Sequence, residues 1–364
     1  MEIKEIIQEL EIWAPPSYQE NYDNARLITG DDKTEITGIL ISLDCIEEVV
    51  EEAIAQNCNL IISHHPIVFS GLKSLTGSTY VERTIIKAIK NDIAIYSIHT
   101  NLDNVINGVN QKIADIIGLR DQKVLFPKKS TLSKLVTFTP KENASEILER
   151  LYVAGAGQIG NYSQCSFSSE GIGTFKPNDK ANPVIGKLGH KETINEVRLE
   201  VIFPSIIENK LIKALNESHP YEEVAYYITS LSNLNQEVGA GMIGNLNNEV
   251  ETLEFMNTIK EKFNLKVIRH TSLHKKKIKR IAVCGGAGSF LLAKAKSENA
   301  DIFITGDFKY HEFFDAENTI IIMDIGHYES EVFTKELIYE RLKEKFSNIA
   351  VNLSQVVTNP INYY

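Results

Sequence analysis

The sequence predicts an α/β fold, with a mainly parallel sheet covered by helices on both faces and a second, smaller α+β domain in the middle of the chain. In the first and last thirds, short apolar runs alternate with amphipathic segments, a pattern typical of strands that alternate with helices. The middle third instead carries glycine-rich runs of β character. The chain has 364 residues, more than one typical domain needs.

The composition excludes several classes of protein. Hydrophobic residues make up 43% of the chain, and no window contains the roughly 18 uncharged apolar residues of a membrane span. The formal charge of -10 argues against nucleic acid as a partner, because that affinity depends largely on neutralising phosphates. Four scattered cysteines without a CxxC pair indicate neither a disulfide framework nor a thiolate zinc site. The first ten residues resemble an amphipathic helix rather than a signal peptide, so we expect a cytoplasmic protein.

The first third predicts a β-α-β arrangement after an N-terminal helix. Three apolar runs predict strands, at residues 36–43, 59–63 and 93–98. Residues 45–57 place apolar side chains on one helical face and glutamates on the other, and residues 80–91 repeat this pattern. The three strands are therefore expected to lie parallel, with the two helices as their connections.

The last third resumes the alternation. Apolar runs predict strands at 279–284, 301–305 and 319–325, with a glycine turn after the first of them. Amphipathic segments predict three helices, at 289–299, from Asp307 onwards, and at about 328–346. This pattern again indicates a mainly parallel sheet.

The middle segment predicts a compact α+β domain. Two short helices are expected, at 145–152 and 205–218, between glycine-rich β runs at 155–162 and 170–175. Loop-like residues border the segment at both ends. We therefore expect three parts: a first half of the α/β domain at 1–129, an inserted α+β domain at 130–235, and a second half of the α/β domain at 236–364.

The strongest chemical signal is the pair of adjacent histidines His64 and His65, at the end of an apolar strand and directly before Pro66. Open parallel sheets place their sites at the carboxyl ends of strands. Adjacent residues on an extended strand point to opposite sides, so both imidazoles reach one site only where the strand has turned. That arrangement suits two neighbouring metal ions. The alternative is that both histidines are simply polar residues that end a strand.

Two further clusters favour the metal hypothesis. Asp103 follows the next strand and offers the oxygen donor that a pair of divalent ions needs. His327 and Glu331 stand four residues apart at the start of the last helix, a spacing that places both on one helical face. A surface helix with an acidic first turn would also explain that pair.

Together these residues form a three-histidine, two-carboxylate set, which suits Zn, Mn, Fe or Co better than Ca or Mg. A bound divalent ion would lower the pKa of water enough to supply a nucleophile at neutral pH. His311 and His99 are our candidates for substrate contact or proton transfer, although a histidine satisfied by a backbone group is an equal alternative. The basic run at 269–280 is typical of a solvated edge, or it could steer a phosphorylated substrate.

The combined motifs resemble one known family, the GTP cyclohydrolase 1 type 2 or NIF-three-like proteins. The resemblance extends over essentially the whole chain and rests on four separated motifs, at residues 63–66, 99–103, 305–311 and 326–331. It implies a centre of two divalent metal ions (Zn, Mn, Fe or Co) held by His64, His65, Asp103, His327 and Glu331. It further implies a discontinuous α/β domain with an inserted PII-like or CutA-like domain of ferredoxin type, and a toroidal homohexamer.

The resemblance also implies an activity. The family name points to a metal-dependent hydrolase that opens the imidazole ring of a purine nucleotide such as GTP and releases formate. Two alternatives stay open: a metal-binding regulatory or scaffold hexamer with a ligand-sensing inserted domain, and a general metallo-phosphoesterase or amidohydrolase. Met242 stands where we expect many shorter relatives to carry an arginine, so lysines near residue 275 are candidates for contact with a substrate phosphate.

Overall fold

The computed structural model describes residues 1–364, and the chain divides into two compact units. Met1–Pro127 and Gln236–Tyr364 together form the first unit, and Lys128–Asn235 forms the second. The first unit is therefore assembled from both ends of the sequence. No helix is long and apolar enough to cross a lipid bilayer.

The chain forms fifteen strands: β1 (Leu27–Thr29), β2 (Ile39–Ser42), β3 (Leu60–Ser63), β4 (Ala94–Ser97), β5 (Arg120–Pro127), β6 (Leu132–Thr139), β7 (Ser166–Phe175), β8 (Glu192–Pro204), β9 (Tyr226–Ser230), β10 (Gly239–Glu251), β11 (Arg269–His270), β12 (Lys277–Ala287), β13 (Ile302–Gly306), β14 (Ile321–Asp324) and β15 (Val351–Leu353).

Eleven α-helices accompany them: α1 (Ile3–Trp13), α2 (Glu47–Ala55), α3 (Tyr80–Lys90), α4 (Thr100–Asp103), α5 (Val109–Ile117), α6 (Ala144–Ala154), α7 (Glu208–Ser218), α8 (Thr252–Lys262), α9 (Leu292–Ser297), α10 (His327–Glu331) and α11 (Thr334–Lys345). Five short 3₁₀ segments join them: Pro16–Tyr18, Lys141–Asn143, Ser205–Ile207, Ser289–Leu291 and Tyr310–Ala316.

The first unit contains two sheets. One is built mainly from early strands and the other mainly from late strands, and each also includes one strand from the other half of the sequence. The first sheet has the order β1-β4-β3-β2-β15, and all of its pairs are parallel except β1 with β4. The second has the order β11-β14-β13-β12-β10-β5. The late strand β15 thus completes the early sheet, and β5 from the first half joins the later one. Neither sheet is therefore complete without strands from both halves of the sequence.

The two sheets share one hydrophobic core. Successive strand residues point to opposite faces of a sheet. Ile41 of β2 and Ile304 of β13 accordingly lie in the same buried cluster, together with α1, α5, α8 and α11. Leu40 faces a separate cluster on the outer side of the first sheet, which α2 and α3 cover. Phe303 faces another cluster on the outer side of the second sheet, which α9 covers. The unit is therefore layered, with helices between the sheets as well as outside them.

The second unit has the strand–helix–strand–strand–helix–strand order of ferredoxin-type domains. Its four strands pair antiparallel in the order β7-β8-β6-β9, and α6 and α7 pack on one face of the sheet. Leu135, Leu199, Leu151 and Leu211 are buried between the sheet and these helices.

Several sequence predictions about secondary structure were wrong. The second sheet is mixed rather than mainly parallel, because β5, β10 and β11 join it antiparallel. Residues 155–162 form a loop with one isolated bridge, since α6 ends at Ala154 and Gly155 caps it in the left-handed conformation. No helix begins at Asp307, whose φ is 58°, and the 3₁₀ segment starts at Tyr310. The predicted last helix is divided into α10 and α11.

Candidate metal centre

The first unit gathers polar side chains where the carboxyl ends of its parallel strands meet. His64 and His65 follow β3, Asp103 ends the short helix after β4, and His327 and Glu331 belong to α10 after β14. His64 and Glu331 are buried, with 0% and 3% of their surfaces exposed. All five residues that the sequence predicted as metal ligands therefore lie in one place.

Three of these side chains form a first cluster. The Nε2 atom of His65 lies 2.9 Å from Oε2 of Glu331, and Nε2 of His327 lies 3.0 Å from the same oxygen. The two Nε2 atoms are 3.4 Å apart. Two imidazole nitrogens and one carboxylate oxygen thus converge on a single point, as in catalytic zinc sites with three protein ligands.

A second cluster uses the other oxygen of the same carboxylate. The Nε2 atom of His64 lies 3.9 Å from Oε1 of Glu331 and 3.6 Å from Oδ1 of Asp103. Because Glu331 belongs to both clusters, its two oxygens face two adjacent places that could each hold a cation. Pairs of metal ions in hydrolytic enzymes lie roughly 3.5–4 Å apart, a separation that one carboxylate spans.

The Nδ1 atom of each histidine makes a hydrogen bond away from the cluster. His65 donates to Asp44 and His327 donates to Asp307, both at 2.7 Å. His64 donates to the backbone oxygen of Ile98 at 2.8 Å. A proton on Nδ1 leaves the lone pair of Nε2 free to bind a metal, and carboxylate partners of this kind are typical around metal-binding histidines.

Charge and burial together shift the ionisation of these groups. Burial alone would lower the pKa of His65, but its hydrogen bonds with Asp44 and Glu331 raise it to about 10. The pKa of His327 rises to about 11 against the same burial effect, because Asp307 and Glu331 flank it. Burial lowers the pKa of His64 to about 4. In the protein alone, the two imidazolium groups therefore pair with Asp44 and Asp307 as well as with the buried Glu331.

The second cluster is chemically incomplete without a cation. Nε2 of His64 and Oδ1 of Asp103 are both buried and have no hydrogen-bond partner. Burial and the charge of Glu331 raise the pKa of Asp103 well above its usual range. Burying a polar atom without a partner costs on the order of 1–3 kcal/mol, so such atoms in a native structure call for an explanation. A divalent ion between them would satisfy both, and the residues present fit a metal.

Two glycines allow the strands β12 and β13 to lie close to Glu331 and His327. A Cβ atom on Gly286 would lie 2.5 Å from Oε1 of Glu331, and its φ of 60° is left-handed. A Cβ atom on Gly306 would lie 2.8 Å from the backbone nitrogen of His327. The glycine turn seen in the sequence therefore serves close packing against the centre, and strand β12 continues through it to Ala287.

The two predicted contact residues lie in different surroundings. The ring of His99 stands 5.3 Å from that of His64 and 5.4 Å from that of His65, and it lines the same cavity. His311 is exposed and contacts the rings of Tyr310 and Phe314, away from the cluster. Of these two histidines, only His99 lies close enough to the cluster to support a role there.

Sequence reasoning missed three carboxylates that hold the histidines. Asp23 accepts a hydrogen bond from Nδ1 of His99 at 2.8 Å, Asp44 holds His65, and Asp307 holds His327. Asp44 follows β2 just as His65 follows β3, so its position after a strand was a usable signal. The sequence predicts a helix from Asp307 onwards rather than a partner for His327, and no sequence signal marks Asp23.

The candidate phosphate contacts lie elsewhere. Met242 is buried in the core shared by the two sheets and is not part of the cavity wall beside the ligand cluster. Lys275 pairs with Asp301 at 2.6 Å. Asp301 directly precedes β13, so this pair lies at the amino end of the strand, whereas the ligand cluster lies at the carboxyl ends. The structure therefore gives no support to the expected contact between these lysines and a substrate.

A cavity of about 570 Å³ opens onto the ligand cluster. Its wall includes His65, His99, Asp103, His327 and Glu331. Aromatic and amide side chains complete it: Tyr22, Phe69, Phe290, Tyr328, Asn104, Asn110 and Asn359. The volume is in the range of small-molecule sites, which are roughly 300–1,000 Å³.

Comparison with known proteins gives the family. The sequence model of Duf34/NIF3 (NGG1p interacting factor 3) matches residues 1–360. The chain belongs to this family. The resemblance drawn from the four motifs is thereby confirmed.

Relatives in the Duf34/NIF3 family match the chain over its length. A Bacillus subtilis protein is 38% identical and one from Halalkalibacterium halodurans is 39% identical, over 99% and 98% of this chain and 98% of each relative. Both are named "GTP cyclohydrolase 1 type 2 homolog". Among solved structures, a Bacillus cereus protein related to NIF3 superposes with a TM-score of 0.88 at 37% identity, covering 100% of this chain and 99% of that one. A Staphylococcus aureus protein superposes with a TM-score of 0.80 at 31% identity and the same coverage.

Proposed function

We propose that this protein is a hydrolase that depends on two divalent metal ions and acts on the ring of a purine nucleotide such as GTP. The observation that carries the proposal is the sharing of Glu331 between two ligand clusters. His65, His327 and Glu331 would hold one ion, and His64, Asp103 and Glu331 the other. Zn, Mn, Fe or Co suits this donor set.

Each residue has a distinct part in such a reaction. Divalent ions supply a nucleophile from water at neutral pH and stabilise the developing negative charge. Asp44 and Asp307 keep the Nε2 atoms of His65 and His327 directed at the centre. Asp23 holds His99 in the same way, so that its Nε2 is available to receive the proton that attacking water loses.

The name shared by the relatives supports a purine nucleotide as the substrate class. The test is to load the protein with Zn, Mn, Fe or Co in turn, add GTP, and measure formate together with the fluorescence of a pterin product. We expect formate from at least one loaded form and none after Glu331→Gln. Absence of formate with every metal would refute the proposed cyclohydrolase activity.

A second candidate function concerns the Lys128–Asn235 unit. Its ferredoxin-type topology supports the PII-like or CutA-like module that the resemblance implies, and it contains its own cavity of about 660 Å³. Phe138, Tyr221 and Tyr227 line that cavity together with Arg198. We propose that this unit senses a small ligand. Screening metabolites by thermal shift tests this, and a Tyr227→Ala variant should lose any shift that the intact protein shows.

We further propose that the chain assembles as a toroidal homohexamer. Three aromatic side chains on the first unit are mostly exposed, Phe290 at 65%, Tyr310 at 72% and Phe314 at 65%. Exposed aromatic groups of this kind favour contact with another protein surface. Light scattering should give the mass of six chains, and Tyr310→Glu with Phe314→Glu should lower it. The mass of a single chain for the unchanged protein would contradict the assembly.

A further inference from the structure

Two aromatic side chains are exposed on the wall of the cavity that opens onto the ligand cluster. Tyr22 is 65% exposed and Phe69 is 51% exposed, and both line that cavity. Their ring centres lie 6.2 Å apart, with the ring planes tilted by 45°. Single exposed apolar side chains are ordinary on protein surfaces, whereas neighbouring aromatic groups on a cavity wall are typical of a site for a small molecule. The pair therefore suits a ligand with an apolar face.

Hydrogen bonds fix the two loops that carry these rings. Nδ2 of Asn24 donates to the backbone oxygen of Val68 at 2.7 Å, which joins the loop before β1 to the loop after β3. Asp23, directly after Tyr22 in the chain, accepts a hydrogen bond from Nδ1 of His99 at 2.8 Å. The same loop therefore positions both an exposed ring of the cavity wall and the imidazole that we propose as the proton acceptor.

The rings form a continuous series that leads from the exposed pair to the ligand cluster. The ring of Phe69 stands 6.3 Å from that of His99, at an angle of 77°. The ring of His99 in turn stands 5.4 Å from that of His65. A planar base that rests against Phe69 would therefore lie within reach of both His99 and the ligand cluster.

Amide side chains of the same wall are already engaged in the protein. Asn110 donates to the backbone oxygen of Asp103 and accepts from the backbone nitrogen of Gly285, both at 3.0 Å. Nδ2 of Asn359 donates to Glu329 at 3.1 Å. These groups hold the wall together, so contact with the base of a nucleotide falls mainly to the aromatic faces.

We propose that Tyr22 and Phe69 bind the purine base of the substrate by stacking and thereby select purine over pyrimidine nucleotides. This inference rests on the proposed hydrolase function and adds the residues that choose its substrate. Every nucleobase has a face that stacks on an aromatic side chain, and the preference among bases follows the strength of stacking. A purine, with two fused rings, covers more of the aromatic pair than a pyrimidine does.

The test compares GTP with CTP, which has the same sugar and phosphates but a smaller base. Calorimetric titrations use the metal-loaded full-length protein with each nucleotide as its magnesium complex, and elemental analysis afterwards checks that the ions are retained. We expect the unchanged protein to bind GTP more tightly than CTP by about fivefold or more. Equal affinity, tighter binding of CTP or no binding of GTP would each refute the inference.

Variants of the two rings assign the preference to them. Tyr22→Ala and Phe69→Ala should each reduce the preference for GTP to less than about twofold while the metal content stays normal. Tyr22→Phe and Phe69→Tyr retain a ring and should keep the preference. Tyr80→Ala removes a 56% exposed ring that is not part of the cavity wall, and it should also keep the preference. A preference that survives in both alanine variants would overturn the inference.

Turnover separates this inference from the hydrolase proposal. If GTP binds but no formate is released, the hydrolase proposal fails, and the affinities above still decide the role of the rings. If formate is released, both alanine variants should raise KM for GTP by about fivefold or more with little change in kcat, because the rings bind substrate without taking part in the chemistry. A fall in kcat with unchanged KM would show that the rings act only by positioning His99 and would contradict the inference.

Discussion

Nε2 of His65 and Oε2 of Glu331 lie 2.9 Å apart although 266 residues separate them in the sequence. His65 follows the early strand β3, and Glu331 belongs to the late helix α10. The contact therefore depends on the packing of the two sheets against one core. It also makes Glu331 the residue through which the two ligand clusters are joined.

Replacement of different proposed ligands should lower the metal content by different amounts. Glu331→Ala deletes a donor from both clusters, whereas Asp103→Ala deletes one donor from the second cluster alone. We expect elemental analysis to find close to no metal in Glu331→Ala and about half the normal content in Asp103→Ala. His65→Ala should also lose metal. The control is His274→Ala, which removes an exposed histidine outside the centre. Normal metal content in Glu331→Ala would contradict the assignment.

Asp44 should act on metal affinity through His65. Its Oδ1 accepts a hydrogen bond from Nδ1 of His65, and its Oδ2 accepts one from the hydroxyl of Thr358. Asp44→Asn weakens the hold on the imidazole, and loss of such a partner typically costs roughly 10–100-fold in affinity. Competition with a chelator measures this, with Thr358→Val as a milder variant that keeps the carboxylate. An Asp44→Asn protein with unchanged affinity would mean that Asp44 does not orient the ligand.

The two close glycines should be intolerant of alanine. In Gly286→Ala the new Cβ would meet the carboxylate of Glu331, and in Gly306→Ala it would meet the backbone of His327. Both changes should lower metal affinity at least tenfold without removing any ligand. Gly71→Ala is the matched control, because a Cβ atom there lies in open space. Chelator titration and a thermal melt distinguish a displaced centre from general unfolding.

Glu82 should make stability depend on pH in the acidic range. Hydrogen bonds from the backbone and hydroxyl of Thr76 and from Ser78 lower its pKa to about 2. The ionised form is favoured in the folded state, so the stabilisation is complete above the ordinary glutamate pKa and is lost as the pH falls towards 2. Glu82→Ala should therefore lower the melting temperature at pH 7, and the difference should shrink by pH 3. Glu48→Ala, at an exposed glutamate, should show no such trend.

The inserted unit should be removable. Pro127 of β5 lies opposite Gly239 of β10 in an antiparallel pair, so the two ends of the first unit are adjacent. Replacing Lys128–Asn235 with a loop of about four residues would convert the junction into an ordinary hairpin. We expect the shortened protein to fold cooperatively and to bind as much metal per chain as the full one. A shortened protein that folds but binds no metal would show that the centre needs the second unit.

Much of the fold could be predicted from the sequence, because local residue patterns mark the strands concerned. Apolar runs bounded by polar residues placed β3, β4 and β14, and the polar residues after them identified all five members of the ligand cluster. What the sequence could not show depends on distant pairing. One example is β10, which pairs antiparallel with both β5 and β12, because these two partner strands come from different halves of the chain.

Local backbone conformation explains the remaining errors. Asp307 adopts a left-handed conformation in which its carboxylate reaches His327, and nothing in the surrounding residues distinguished this from a helix start. Asp23 lies in a loop with no periodic pattern, so only the fold shows that it holds His99.

The order of the strands has a consequence for biosynthesis. A ribosome makes β2, β3 and both adjacent histidines early, but β15, which pairs with β2, and Glu331, which joins the clusters, are made near the end. The emerging chain can therefore neither finish its first sheet nor form either cluster. The proposed ions could therefore be bound only after translation has passed Glu331, and a product truncated before that residue would lack both clusters.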